Sequence, residues 1–189
     1  MIVFLTEEKS MQAMLGKLMS AHWPDATAGV DWIALKFEGK NDLDKNVAAK
    51  IQSWNFGTPH FIILRDQDGR DCRALKQALY EKAKQGGKPF TVRIVCNELE
   101  SWLLGDLDAV EGAYPSTKAG KQKNVAKFRD PDALSNANQE LENLVKVKGK
   151  VGRATTIATL FSPARCTPHS FQVFWRTTTQ LMNRTELDC

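Results

Sequence analysis

The sequence predicts an α/β protein with a mainly parallel four-stranded sheet flanked by helices and a helical C-terminal extension. Two observations carry the prediction. Short apolar runs rich in β-branched and aromatic residues alternate with segments whose apolar residues recur at helical spacing, the pattern of a parallel sheet with helices on both faces. Charge is also divided unevenly. Residues 1–114 hold 14 basic and 16 acidic side chains and residues 115–189 hold 12 and 6, so the segments carry −2 and +6 within a total of +4. An acidic body suits cations and a basic tail suits polyanions.

Residues 1–5, MIVFL, read as a strand buried on both faces. In residues 10–21, Met11, Met14, Leu15, Leu18 and Met19 lie at helical spacing as core packing, and Pro24 closes the segment. Residues 30–37 are the second strand, broken by Gly39, after which Asn41 or Asp42 caps a helix to Trp54 with Leu43, Val47, Ala48 and Ile51 on one face. The run at 61–64 has the length of a buried strand and ends at Arg65 and Asp66. A third helix fits 72–85, stopped by Gly86 and Gly87. Val92, Ile94 and Cys96 alternate in a fourth strand over 90–96, and 99–104 is a helical turn.

Beyond Tyr114 the alternation ends. The lysine-rich segment 116–129, with Gly120, reads as a loop or mobile arm. Helices are expected at 138–145, 153–160 and 170–182, the last with Phe171, Phe174, Trp175 and Thr178 on one side. The expected organisation is an α/β domain over 1–114 and a basic, mainly helical extension over 115–189 packed on it.

With 189 residues, 42% of them apolar, the chain can bury a core without staples. Cys72, Cys96, Cys166 and Cys189 show no CxxC spacing, and His22, His60 and His169 lie far from them, so neither a zinc site nor a disulfide framework is expected. The first apolar run meets acid after five residues, which argues against a signal peptide or membrane span and for a cytoplasmic protein. GKVGRATT at 149–156 is not a phosphate-binding loop, and there is neither GxGxxG after the first strand nor GxSxG. ATP hydrolysis, dinucleotide binding and acyl transfer are therefore disfavoured.

The acids gather at strand ends. Glu7 and Glu8 follow the first strand, Asp66 and Asp68 the third with Asp71 just after, and Glu98 and Glu100 the fourth. In a parallel sheet these ends share one edge, and Asp66 and Asp68 project to the same side of an extended backbone. Clustered carboxylates repel unless a cation, a proton or a basic side chain compensates. Donors that are all oxygen favour Mg²⁺ or Mn²⁺. The competing role is helix capping, open to Asp68 or Asp71 at the third helix.

FLTEE, FIILRDQDGRDC and VCNELESWLLGD, in that order, resemble the Toprim domain. More narrowly they resemble a compact Toprim-like bacterial family of unknown function, related to nucleases of the overcoming-lysogenization-defect type and linked to phage defence and to neighbouring ATP-binding-cassette-type ATPases. The resemblance spans 1–114, and SFQVF near the end is also similar. It implies a Toprim/Rossmann-like fold and a metal-dependent nuclease cutting DNA or RNA, the effector of an anti-phage system with an ATPase as partner. In Toprim proteins a glutamate after strand one and an Asp-x-Asp after a later strand gather the metal. Those positions match Glu7 and the pair Asp66 and Asp68. Glu8 departs from the glycine that commonly follows the glutamate, while Glu98 and Glu100 resemble later acidic positions. On this resemblance Asp66, Asp68 and Glu100 hold Mg²⁺ or Mn²⁺, Glu7 is a further ligand or general base, and Glu8 and Glu98 are adjoining donors.

Lys40, after strand two, is either a phosphate contact or a solvated turn lysine. Lys118, Lys121, Lys123, Lys127 and Arg129 form one basic cluster and Lys146, Lys148, Lys150 and Arg153 another, suited to phosphate backbones or to a solvated face. Trp54, Phe128 and Trp175 are base-stacking or core aromatics. No sequence-reading motif is present. Two other functions fit the same residues: a non-catalytic module docking a partner ATPase, and phosphoryl transfer to a small molecule.

Overall fold

A computed structural model describes residues 1–187; Cys189, counted above among the cysteines, lies outside the described residues. The strands are β1 (Ile2–Thr6), β2 (Trp32–Lys36), β3 (His60–Asp66) and β4 (Phe90–Val95). They form one sheet in the order β2-β1-β3-β4, with every pair parallel. Between them run α1 (Lys9–His22), α2 (Lys40–Gln52) and α3 (Cys72–Lys84), and after β4 come α4 (Leu99–Leu104) and α5 (Leu107–Ala113). The chain ends with α6 (Ala126–Arg129), α7 (Ala137–Val145), α8 (Lys150–Ala158) and α9 (His169–Leu187). This is the expected α/β architecture, a parallel four-stranded sheet flanked by helices with a helical C-terminal extension.

Strand alternation assigns the two faces. Val3, Leu5, Phe61, Ile63, Val92 and Ile94 pack against α2 and α3. Ile2, Phe4, Ile62, Leu64 and Val95 point the other way, into a larger cluster with α1, α4, α5 and the helices that follow. Being central, β1 is buried along its whole length, which explains its unbroken apolar sequence.

That larger cluster runs without a break into the C-terminal segment. Ala137, Leu141, Ala154, Ile157, Phe171 and Phe174 share it with Phe4, Leu15 and Trp102. Trp102 stacks on Phe174 with ring centroids 5.1 Å apart, and its indole N–H donates to Ser170 Oγ at 2.7 Å. Of the four cysteines, Cys72, Cys96 and Cys166 are free thiols. Among the described residues no helix is long and apolar enough to cross a membrane.

Three local expectations are corrected. Neither Asn41 nor Asp42 caps α2: Gly39 occupies the cap at φ 97°, a conformation open to glycine, and Asp42 reaches back to accept the Glu38 backbone N–H at 2.9 Å. The segment 116–129 is neither a loop nor an arm. It folds into two 3-10 turns, Pro115–Thr117 and Ala119–Gln122, and α6, anchored by buried Ala119 and Phe128 and by the Gly120 N–H donating to Glu111 at 2.7 Å. Helix α5 is unanticipated; Asp106 caps it by accepting from the Ala109 N–H at 3.2 Å.

Because Phe174 joins α9 to the sheet's own core, Phe174→Ala should cost about 3–5 kcal/mol in urea unfolding, with helix and sheet signals lost together. Separate transitions would show that the tail folds on its own.

Candidate active site

The parallel register sets the carboxyl ends of the strands side by side. Thr6 pairs with both Lys36 and Leu64, and Asp66 pairs with Val95, so the chain leaves β1, β3 and β4 along one edge. Glu7, just past β1, turns its Oε2 to accept the Asp66 backbone N–H at 3.1 Å. Burial pushes the Glu7 carboxyl above its ordinary 4.5, against the nearby Arg65 guanidinium, which favours the charged form.

Asp66 is 5% exposed, and its Oδ1 accepts no hydrogen bond from the described residues. Burial, then the charges of Glu7, Glu8 and Glu100, push its carboxyl well above the ordinary 3.8, opposed by Lys150. Glu100, in the first turn of α4, is 1% exposed with Oε2 likewise unbonded. Burial raises its pKa too, again opposed by Lys150, whose Nζ lies 3.8 Å from Oε2. Burial disfavours the Lys150 ammonium, but Glu100, Glu8, Glu98 and Asp66 outweigh that and raise its pKa. Glu7, Asp66 and Glu100 thus form an inner group facing Lys150, with Glu8 close enough to act on it while its own Oε1 takes a short hydrogen bond from Ser10.

Asp68 lies close enough to Glu7 for its charge to help raise that carboxyl, but its φ of 52° turns the chain in the left-handed region, so the backbone there is not extended as expected. Asp68 Oδ2 meets Arg65 Nη1 at 3.1 Å and Lys40 Nζ at 3.0 Å. Arg65 is 1% exposed; its Nε contacts Asp44 at 3.1 Å, and its Nη1 donates to the Asp66 carbonyl and lies 3.6 Å from Glu7. The sequence carried a signal for this residue: a charge at the end of an apolar strand run must find partners there. Asp71, one of the two capping candidates, caps α3 by accepting the Ala74 N–H at 2.7 Å. Glu98 accepts the Asn138 N–H at 2.8 Å, at the start of α7.

A hard divalent cation can be weighed against these donors. The two buried carboxylate oxygens without a hydrogen bond suit it, as does an all-oxygen set. Among the described residues, however, no three His, Cys, Asp or Glu side chains are grouped as a metal site.

The expected nucleic-acid contacts divide as well. Lys118, Lys121 and Lys148 are exposed. Lys123 pairs with Asp108, and Lys127 pairs with Glu140 at 2.6 Å over the Phe128 ring. Arg129 donates to the Asn124 carbonyl at 3.1 Å. Arg153 lies beneath the surface at 1% exposure, bonded to Glu142 at 3.1 Å, to the Val147 carbonyl at 2.8 Å and to Asn138, so it holds α7 to α8 rather than facing solvent. Phe128 is buried, while Trp175 packs on Trp23 and Phe171, and Trp54 on Phe61.

Raised carboxyl pKa values have a definite sign in stability. A carboxyl that holds its proton more tightly when folded stabilises the fold below its ordinary value, and that contribution is lost as pH rises through the folded value. Without added metal, Asp66→Asn should therefore gain about 0.5–2 kcal/mol at neutral pH and show a flatter decline of stability between acid and neutral pH. Equal slopes for variant and parent would refute the assignment.

Residues 6–177 match the family model described as a domain of unknown function, DUF4276. No curated protein matches the chain. Among solved structures, the chain is similar in fold to the C-terminal region of the Burkholderia pseudomallei OLD protein, with a TM-score of 0.58 and 16% identity over 96% of this chain and 98% of that one. Taken with the parallel four-stranded sheet and its acidic edge, the match over most of its length places this chain in the DUF4276 family.

Proposed function

We propose that the chain is a metal-dependent nuclease of the Toprim type that hydrolyses phosphodiester bonds of DNA or RNA at the carboxyl edge of its sheet. The observation that carries this is the pair of buried, unbonded oxygens, Asp66 Oδ1 and Glu100 Oε2, beside the Lys150 ammonium. An apolar pair would fill such a place at less cost if stability alone were selected. Asp66, Glu100 and Glu7 would hold Mg²⁺ or Mn²⁺, with Glu8 adjoining; Asp68 and Glu98 are already engaged by Arg65 with Lys40 and by the start of α7. Bound there, a divalent cation supplies polarisation of a phosphoryl oxygen and a more acidic water.

The chain's own groups have separable tasks. As the alternative to ligating the cation, Glu7, whose Oε2 is fixed by the Asp66 N–H, would take a proton from water as general base. Lys150 presents a cation to the charge that develops on phosphoryl oxygens. Exposed Lys118, Lys121 and Lys148 attract the strand without reading its sequence, so binding weakens with salt. In the cell the same reading makes the chain the effector of an anti-phage module beside an ATP-binding-cassette-type ATPase.

One observation favours a second reading. Lys150 itself offers the carboxylates a compensating positive charge, as it would in a non-catalytic module whose acidic edge docks the ATPase. Metal titration separates the two, because a site present only in the fold stabilises it by about 2.7 kcal/mol at a hundredfold excess over Kd. Mn²⁺ should raise the melting temperature of the parent and leave that of a Glu7→Gln, Asp66→Asn double variant unmoved. Cleavage of single- and double-stranded DNA and RNA in Mg²⁺ or Mn²⁺ should fall about 100-fold or more in Asp66→Asn and in Lys150→Ala. Parental cutting by Asp66→Asn would overturn the nuclease.

A further inference from the structure

A second concave site lies apart from the carboxylates, at the far end of α4. It is a cavity of about 340 Å³ between the turn joining α4 to α5, the short α6, and the chain around Arg165. That volume is on the scale of small-ligand pockets, which begin at about 300 Å³. Gly105 makes the wall possible. A Cβ there would stand 2.2 Å from the Pro168 ring, so a larger residue would force the wall away. The Thr167 N–H donates to the Gly105 carbonyl at 3.2 Å and closes the same contact.

The charged lining consists of Lys123, Arg129 and Arg165 against Asp106 and Asp108, one cation in excess. The two acids are occupied. Asp106, 1% exposed, takes Arg165 Nε and Nη2 at 2.9 Å each and accepts the backbone N–H groups of Ala109 and Ser162, while Asp108 takes Lys123. The guanidinium groups are not used up. Among the described residues Arg165 spends Nε on Asp106 and both Nη2 N–H groups on Asp106 and the Leu160 carbonyl, leaving Nη1 without a bond, and Arg129 bonds only through Nε to a main-chain carbonyl. Asp106 thus fixes Arg165 in place with Nη1 spare beside the cavity, while the Nη1 and Nη2 groups of Arg129 offer the fork of donors that suits a phosphate. Leu104, Leu107 and Phe128 supply an apolar floor.

We propose that this cavity binds a nucleotide phosphate ester, with Arg129 and Arg165 on the phosphate and the apolar floor under the attached base or sugar. The phosphate comes either from a strand running on from the cutting site or from a free nucleotide; the strand source rests on the nuclease reading, and the phosphate chemistry does not.

Binding is measured on the full chain in EDTA, which removes cutting, with AMP by calorimetry and a fluorescent single-stranded oligonucleotide by anisotropy. Arg129→Glu should weaken at least one probe about tenfold or more, and Arg165→Lys, which keeps the charge on Asp106 but loses the spare Nη1 N–H groups, should weaken the same probe. Arg129 is exposed and bonded to one main-chain carbonyl, so its variant should melt as the parent does. Loss confined to AMP assigns a free nucleotide, and loss on the oligonucleotide assigns a strand. If neither probe binds, or neither variant weakens binding, the proposal is overturned. Cutting that depends on Asp66 while binding ignores Arg129 would leave the nuclease standing and remove this site. Arg129-dependent binding by a chain that cuts nothing would do the reverse.

Discussion

The carboxyl edge of this sheet is organised around one buried cation. The Arg65 guanidinium is 1% exposed, and a charge so placed costs several kcal/mol unless it is paired and hydrogen-bonded. Its partners come from separate parts of the chain: Asp44 on α2, Asp68 and the Asp66 carbonyl after β3, and Glu7 after β1. Satisfying Arg65 therefore fixes how three segments leave the sheet. It also engages Asp68, the second member of the Asp-x-Asp pair, with Lys40 as a second cation on the same oxygen.

What Arg65 does not reach is left short of compensation. Asp66 and Glu100 keep buried oxygens without a hydrogen bond among the described residues, and burial first, then neighbouring carboxylates (Glu7, Glu8 and Glu100 on Asp66, Glu8 and Glu98 on Glu100), raises their pKa values. Lys150 offsets part of this from 3.8 Å, too far for a hydrogen bond. A fold tolerates such an arrangement when the strain serves a bound cation or substrate, and the rest of the molecule supplies stability enough to hold it. Here that supply is the continuous apolar cluster joining β1 and β3 to α9.

The same cluster gives the charge asymmetry its meaning. Lys150 belongs to the basic segment and Glu100 to the acidic one, yet they meet because α8 packs on α1, α4 and α5, carrying its first residue to the strand ends. Gly149, at φ 94°, starts the helix there. Elsewhere in the tail the cations are partly spent locally, as in Lys127 with Glu140 and Arg153 with Glu142, so fewer remain for a polyanion than their number in the sequence suggests.

Local pattern by itself determined the four strands, their alternation with α1, α2 and α3, and the gathering of acids at strand ends, because apolar periodicity is read from neighbouring residues and a helix between successive strands is the crossover that parallel pairing requires. Asp71 as a cap was equally legible, being three residues from the N–H it binds. Tertiary structure decided the rest. The turn of the chain at Asp68 depends on one backbone angle, and the burial of Arg153 on the α7 side chains that bond it. The 116–129 segment, polar enough to read as an arm, is ordered by two buried side chains, Ala119 and Phe128, whose pocket exists only after folding. The approach of Lys150 to Glu100 spans fifty positions of sequence, a distance at which charge carries no local signal and only packing brings two side chains together.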